Sequence, residues 1–156
     1  MEFLENTKYG KLPVTAGDGL YQALAVGDLP AAWLLARPLM DRTKLDRLCA
    51  PTAFNCGLCL YRLKEYEKAL AGLRRAEQLL GTPPDLDIRE KELFFRAVEA
   101  DDQVFLRPLN PGGDSGLERY FLIRVRWLTA HCLLRLERRQ EAAPAIRFLS
   151  QYHIKL

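Results

Sequence analysis

An imperfect internal repetition constrains the fold of this chain more than any other feature of its sequence. The stretch Ala53–Leu80 has a second version in Trp127–Ile146, with small and large residues in the same order. Ala32, Ala69 and Ala142 mark one equivalent site, and the second spacing is about twice the first. Repeats with periods of about 20–50 residues indicate helix pairs that bury their apolar faces by packing on one another.

Proline, glycine and capping residues predict where individual helices begin and end. One helix begins near Pro30 and is expected to end at Arg37, because Pro38 follows it. In the clearest copy, Pro51 opens the first helix and Gly81 ends its partner. No segment alternates apolar and polar residues over the length of a strand between turn signals, so the predicted fold class is all-α.

At 156 residues the chain is long enough for one domain with a core of its own. The loop Arg107–Gly116 holds two prolines and three glycines, which predicts a break between helices. The expected parts are an irregular lead-in over residues 1–16, a degenerate repeat over 17–37, a clear repeat over 51–80, an inserted helix and loop over 85–116, and a final repeat over 117–152.

Residues 53–80 resemble a tetratricopeptide repeat, a pair of antiparallel helices that cross closely at small residues. The resemblance implies a short right-handed α-solenoid of about three such pairs, like those of small bacterial repeat proteins. A larger side chain at the crossing would push the helices apart, at a cost of about 1–3 kcal/mol. The matching positions are Asn55, Gly57, Tyr66, Ala69 and Ala76.

The other copies depart from this pattern. The final copy keeps Ala130 and Ala142 but has Arg139 where the clear repeat has a tyrosine. It also has Pro144 in its second helix, which is expected to be tolerated only near the first turn. The resemblance is therefore strong over the clear repeat and weaker on either side of it.

In this family, the first helices of successive repeats line a concave groove that holds an extended peptide or a partner helix. The resemblance places aromatic, basic and amide side chains in that groove. Arginine binds carboxylates through two hydrogen bonds, so the expected ligand has an acidic group and an apolar anchor. The matching positions are Tyr21, Phe54, Asn55, Leu58, Tyr61, Arg62, Arg124, Trp127, Leu128, His131 and Arg135.

Asn55 is the strongest candidate in this set, because the family uses this amide to hold the backbone of a ligand. The alternative is that the amide caps the carbonyl groups of a neighbouring helix. Similarly, Leu58, Trp127 and Leu128 either contact a ligand or fill the core beneath it. If the groove binds a partner, replacing Asn55 and Arg124 with alanine is expected to abolish capture and leave the melting temperature unchanged.

The distribution of charge argues against nucleic acid as a partner. The net charge is only +3, with an acidic excess over residues 85–102 and a basic excess over 119–156. We expect these two segments to pair with each other, which masks the basic surface. No apolar run approaches the roughly 20 residues that span a bilayer, and the N-terminus lacks the features of a signal peptide. The expected location is the cytoplasm, with no membrane partner.

Cys56 and Cys59 form a CxxC pair, which in other contexts indicates a redox dithiol or half of a zinc site. Both lie inside a predicted helix at small buried sites, and Cys132 is the repeat equivalent of Cys59. With no second CxxC to complete a zinc site, we expect buried structural thiols, no metal and no cofactor. His131 and Cys132 are not a catalytic dyad, because helix neighbours point about 100° apart. The sequence gives no positive evidence for an enzyme.

Several functions remain open. The first is a protein- or peptide-binding adaptor without catalysis, and a narrower version is a secretion-type chaperone for a partner segment. The second is a self-associating scaffold, in which the helix Leu117–Leu136 packs on its twin in a homodimer. The third and least favoured is a metal or redox sensor that uses Cys56 and Cys59.

Overall fold

Eight α-helices make up most of residues 15–113 and 115–156, the part of the chain that this computed structural model describes. Those residues contain no β-strand, which confirms the prediction of an all-helical protein. Of the predicted lead-in over residues 1–16, residues 1–14 lie outside the described part of the chain. The helices are α1 (Ala16–Ala25), α2 (Leu29–Leu39), α3 (Arg42–Leu45), α4 (Ala50–Arg62), α5 (Tyr66–Leu80), α6 (Ile88–Ala100), α7 (Glu118–Arg135) and α8 (Arg139–Ser150).

Side-chain caps fix the start of several helices. The Thr15 hydroxyl accepts a hydrogen bond from the Asp18 N–H at the start of α1. Asp87 precedes α6 and forms a capping box, in which the Asp87 carboxylate accepts from the Glu90 N–H and the Glu90 carboxylate accepts from the Asp87 N–H. Each such cap satisfies amide groups that the first helical turn leaves without partners, so the capping residues set these boundaries.

Two helices continue through proline, which differs from the sequence prediction. Helix α2 passes Pro38 and ends at Leu39, although its end was expected at Arg37. Pro38 lies close enough to the end of the helix that only one hydrogen bond is lost, and the Met40 N–H still donates to the Ala36 carbonyl at 3.1 Å. Pro144 similarly lies in the second turn of α8, and the helix continues beyond it.

Helices α4 and α5 approach so closely that side chains are excluded from the contact. A Cβ atom on Gly72 would lie 2.7 Å from the Ala53 carbonyl oxygen, and one on Gly57 would lie 2.8 Å from Leu73. Ala69 at the same crossing is fully buried. The predicted need for small residues at this crossing is confirmed, and Gly72 is a member of it that the repeat pattern did not single out.

The helix pairs share one apolar interior. Consecutive helices pack in pairs, α1 with α2, α4 with α5 and α7 with α8, and α7 also packs against α5 and α4. The alanines of the repeat site, Ala32, Ala69 and Ala142, are all fully buried. Helix α6 packs less deeply, because none of its residues is fully buried, and Phe94, Phe95 and Val98 lie half-buried against the core beside the C-terminal pair.

The acidic and basic segments meet at one junction. Arg119 at the start of α7 forms an ion pair with Asp85, with 3.4 Å between nitrogen and oxygen, and donates a hydrogen bond to the Tyr152 hydroxyl at 2.8 Å. The Tyr152 hydroxyl in turn donates to the Asp85 carboxylate. Burial and this bond to Asp85 raise the pKa of Tyr152. The junction ties the chain before α6 to the C-terminal helix pair.

Helix α7 offers little apolar surface for self-association. Most of its large apolar residues are already buried against other parts of the same chain. A homodimer through this helix was expected because apolar surface was thought to be exposed there. The burial of these residues removes that reason. The buried apolar residues of α7 include Phe121, Leu122, Ile123, Val125, Leu128 and Leu133.

None of the described helices combines the length and apolar character that crossing a bilayer requires.

Candidate peptide-binding groove

The predicted groove residues lie on α1, α4 and α7, and most of them line the contact between α4 and α7. Four of them, Phe54, Asn55, Leu58 and Leu128, have no exposed surface, and Arg124 is only 2% exposed. Tyr21, Tyr61, Trp127 and His131 are half-buried, and Arg62 and Arg135 are exposed. The set therefore forms a floor and a rim, and only the rim is open to solvent.

A segment of the same chain covers the floor. Residues 105–109, Phe-Leu-Arg-Pro-Leu, follow α6 and lie along the groove; they are called the strap below. Asn55 holds the backbone of the strap at Leu109 through both of its polar groups: its amide nitrogen donates to the Leu109 carbonyl at 2.8 Å, and its oxygen accepts from the Leu109 N–H at 2.8 Å. The amide that the sequence predicted to hold a ligand backbone is thus occupied by this chain's own backbone.

Two arginines hold the rest of the strap backbone. Arg62 donates to the Leu106 carbonyl at 2.9 Å, and Arg124 donates to the Arg107 carbonyl. Arg107 has extended backbone angles, φ −89° and ψ 148°, as expected for a residue before proline. Phe105 and Leu106 end a short 3₁₀ helix, Val104–Leu106, and the backbone is non-helical from Arg107 to Leu109. Side chains from two helices therefore bind three carbonyl groups and one N–H of a short segment that begins in a 3₁₀ turn and then leaves it.

The spacing of these contacts follows from helix and strand geometry. Asn55 and Arg62 are seven residues apart, or about 10 Å at 1.5 Å per helical residue. Leu106 and Leu109 are three residues apart, or about 10 Å for an extended chain. The two lengths match, so the strap can run beside α4 in the opposite direction with its carbonyls facing these side chains.

Two apolar side chains anchor the strap. Phe105 stacks on Trp127, with 5.3 Å between ring centroids and 18° between ring planes, and is 6% exposed. Leu109 is 4% exposed and belongs to the main core. Trp127 therefore contacts an apolar anchor, as predicted for the groove, but the anchor comes from within the chain.

These contacts correct one expectation about stability. Substitution of Asn55 and Arg124 was expected to leave the melting temperature unchanged, because both were taken as surface groups. Both are buried, and Asn55→Ala would leave the buried N–H and carbonyl of Leu109 without partners. A buried polar group without a partner costs about 1–3 kcal/mol, so a loss of stability is expected instead.

Arg124 is a buried cation with no acidic partner among the described residues. Its guanidinium lies 5.5 Å from the ring centroids of both Phe54 and Tyr120 and donates to the Tyr120 hydroxyl at 3.1 Å. Its Nε atom is buried and has no hydrogen-bond partner there. Burial lowers the pKa of Arg124, and the charge of Arg107 lowers it further. Among the described residues, two aromatic faces, the Tyr120 hydroxyl and the Arg107 carbonyl thus compensate its charge.

The open end of the groove carries an aromatic cluster. His131 lies 4.1 Å from Trp127 and 6.5 Å from Tyr61 between ring centroids. Arg135 donates to the Tyr66 hydroxyl at 3.3 Å. Burial, followed by the charge of Arg135, lowers the pKa of His131, so this imidazole favours its neutral form.

An open cleft of about 430 Å³ adjoins the strap on the α1 side. It joins two predicted groove residues, Tyr21 and Arg62, to residues of the strap. Val26 beside it is 80% exposed, so the cleft combines basic groups with accessible apolar surface. The cleft is lined by Tyr21, Leu24, Ala25, Val26, Gly27, Arg62, Gln103, Leu106, Arg107 and Pro108.

The thiols of the CxxC pair are buried, as the packing interpretation predicts. Burial raises the pKa of Cys56 to about 12 and that of Cys59 to about 11, and it raises the pKa of Cys132 to about 12. Thiols with such values are almost fully protonated at neutral pH and react slowly. Within the described ranges, no three histidine, cysteine or acidic residues form a cluster that could hold a metal ion.

Several residues of the groove were missed by the sequence analysis. Phe105, Arg107 and Leu109 were assigned to the inserted segment, and Tyr120 was given no role. One signal was available: Phe105 and Leu109 are large apolar residues in a segment otherwise rich in turn formers, and such residues need a place to be buried.

Comparison of the chain with family models, with curated proteins and with solved structures finds no match. The resemblance to tetratricopeptide repeats therefore depends on the residues quoted above and on the close crossing of α4 and α5.

Proposed function

We propose that this chain is a protein- or peptide-binding adaptor of the tetratricopeptide-repeat kind, a short right-handed solenoid of helix pairs without a reaction of its own. One observation carries the proposal. Three side chains that the resemblance assigns to ligand binding, Asn55, Arg62 and Arg124, hold the backbone of a short extended segment by hydrogen bonds. A surface that binds the backbone of one extended segment has the chemistry to bind another.

The accessible part of this surface is the cleft beside the strap. Arg62 is exposed at the edge of the cleft, and one of its nitrogens donates a hydrogen bond to the Leu106 carbonyl. The other N–H groups of the guanidinium are available to bind a carboxylate. Val26 and Leu106 supply apolar surface within the same cleft. The proposed ligand therefore has an acidic residue next to an apolar one, as the composition of the groove predicts.

The proposed mechanism is reversible binding to a preformed surface. The hydrogen bond of Arg62 fixes the guanidinium before the ligand arrives, and the strap fixes one wall of the cleft. Groups that are already ordered lose little conformational entropy on binding, so more of the contact energy appears as affinity. No step of this mechanism makes or breaks a covalent bond.

Selection from a random peptide library on the full chain tests the proposal. Enriched peptides are expected to carry an acidic residue next to an apolar one. Arg62→Glu should weaken their binding at least about tenfold, because it turns an attraction into a repulsion. Arg139→Glu makes the same charge change on the exposed surface of α8 and should change affinity less than about twofold. Equal binding by both variants would refute the proposed site.

A further inference from the structure

The strap fills the groove but brings no negative charge to the positive charge of Arg124. Arg124 is buried beneath the strap, yet the strap gives it only the carbonyl group of Arg107. A buried charge is usually matched by an opposite charge, because removing it from water is costly. The groove therefore retains an unmet preference for an anion at Arg124 while its own segment is bound.

The charge of the strap adds to this mismatch. Arg107 is basic, and its charge disfavours the charged form of Arg124. The carboxylate that Arg107 does attract belongs to Asp101, 2.5 Å away at the end of α6, so residues 105–109 offer no carboxylate to the groove. An acidic residue at this point of a bound segment would attract Arg124, whereas Arg107 repels it.

The way in which the strap is held makes exchange feasible. Its polar contacts with the groove go to backbone carbonyl and N–H groups, which every peptide carries, and its backbone is non-helical from Arg107 to Leu109. Only two of its side chains, Phe105 and Leu109, are buried. Helix α6, which precedes it, has no fully buried residue but packs Phe94, Phe95 and Val98 half-buried against the core. Release of the strap alone therefore exposes two buried side chains.

We propose that the strap is an autoinhibitory occupant of the groove, displaced by an extended partner segment whose carboxylate reaches Arg124. The partner segment would carry two apolar residues at the spacing of Phe105 and Leu109, with an acidic residue between them. The inference rests on the proposed function, the binding of a segment with acidic and apolar residues, but it moves that segment from the cleft beside the strap into the place that the strap occupies. The groove then has a closed form with the strap bound and an open form with the partner bound.

Two synthetic peptides supply the probe. The first has the sequence of residues 103–110, and the second has glutamate at the position of Arg107. Each is labelled with fluorescein and titrated into the full-length protein, with binding followed by fluorescence anisotropy. Hydrogen exchange of the Leu109 amide, measured on the same mixtures, reports whether the strap has left Asn55.

The glutamate peptide is expected to bind at least about tenfold more tightly than the arginine peptide, the preference that one matched charge pair can give. At saturation, the Leu109 amide should exchange at least about tenfold faster than in the free protein. Leu109→Ala weakens the strap and should raise the affinity for the glutamate peptide about tenfold, since less competes with it. Arg124→Gln should remove the preference for glutamate.

Two results would overturn the inference. If the glutamate peptide binds while the Leu109 amide stays protected, the strap is a fixed wall and the ligand lies in the open cleft, so the proposed function survives alone. If neither the wild type nor a cooperatively folded Leu109→Ala variant binds either peptide, the groove does not exchange its occupant. The peptide-library selection would then decide the proposed function separately.

Discussion

The α4–α5 pair and the segment from α6 to the strap are held in place by opposite means. In the pair, the backbone of Gly72 lies against the backbone of Ala53 and Gly57, so that no side chain fits at Gly72. In the segment, α6 has no fully buried residue, and the strap is fixed by the side chains of Asn55, Arg62 and Arg124. Close packing of small residues leaves no alternative arrangement, whereas hydrogen bonds to backbone groups accept a substitute.

This contrast separates a fixed part of the molecule from a part that can exchange. The helix pairs are expected to respond to substitution with large losses of stability and no gain of function. The strap and its contacts are expected to respond with smaller losses and with changes in binding. The predictions below test this division from its strongest consequence to its weakest.

Gly72→Val should destabilise the protein by about 3 kcal/mol or more, because the new Cβ would lie 2.7 Å from the Ala53 carbonyl oxygen and the backbone there cannot yield. Urea unfolding followed by circular dichroism measures the change. Ala71→Val is the matched control, since it puts the same residue at an exposed neighbouring position and should cost less than about 1 kcal/mol. Equal losses in both variants would mean that the helices do not cross at Gly72.

Asn55→Ala should cost about 2 kcal/mol in the free energy of unfolding. It leaves the N–H and carbonyl of Leu109 without protein partners. The loss of stability is limited because the strap can move away from the groove, so that water hydrates these two groups. Asn110→Ala is the control, because that exposed side chain makes one local hydrogen bond to the Gly112 N–H and its loss should cost less than about 1 kcal/mol. A loss at Asn55 no greater than at Asn110 would show that the amide does not hold the strap.

Arg124→Met should change stability by about 1 kcal/mol or less, because relief of a buried, unpaired charge offsets the loss of its hydrogen bonds. Arg119→Met is the comparison, since that arginine has an acidic partner in Asp85 and a hydrogen bond to Tyr152, and its loss should cost about 2 kcal/mol. Chemical unfolding of both variants provides the test. A larger loss at Arg124 would show that its charge is well compensated.

Leu93→Ser on α6 should change stability by less than about 0.5 kcal/mol, since this side chain is 52% exposed and α6 contributes no buried residue. Leu73→Ser on α5 provides the contrast, because Leu73 is fully buried against Gly57 and its loss should cost several-fold more. If the two leucines proved equally important, α6 would belong to the fixed part of the molecule.

The sequence predicted the helices well because their signals are local. Gly81 ends α5 with φ +60°, and Asp87 caps α6. Glycine at a helix end and aspartate at a helix start are recognisable from residue type alone. Pro38 misled the prediction for α2, because near the end of a helix a proline removes one hydrogen bond without stopping it. The small residues at the crossing of α4 and α5 were predicted in part, from Gly57 and Ala69 but not Gly72.

The strap could not be predicted in the same way. Asn55 and Leu109 are joined across 54 residues, and no periodicity links an amide on one helix to a turn-rich segment so far along the chain. The composition of the groove was predicted from the resemblance, but not its occupant. The burial of Arg124 was equally hidden, because an arginine is rarely fully buried in a folded protein.

Amide hydrogen exchange at Leu109 in the free protein, followed by NMR, determines whether the groove already binds the strap backbone through Asn55. We expect this amide to exchange at least about 100-fold more slowly than the exposed Gly112 amide, although both lie outside the helices. Exchange of the two amides at similar rates would show instead that the strap does not occupy the groove.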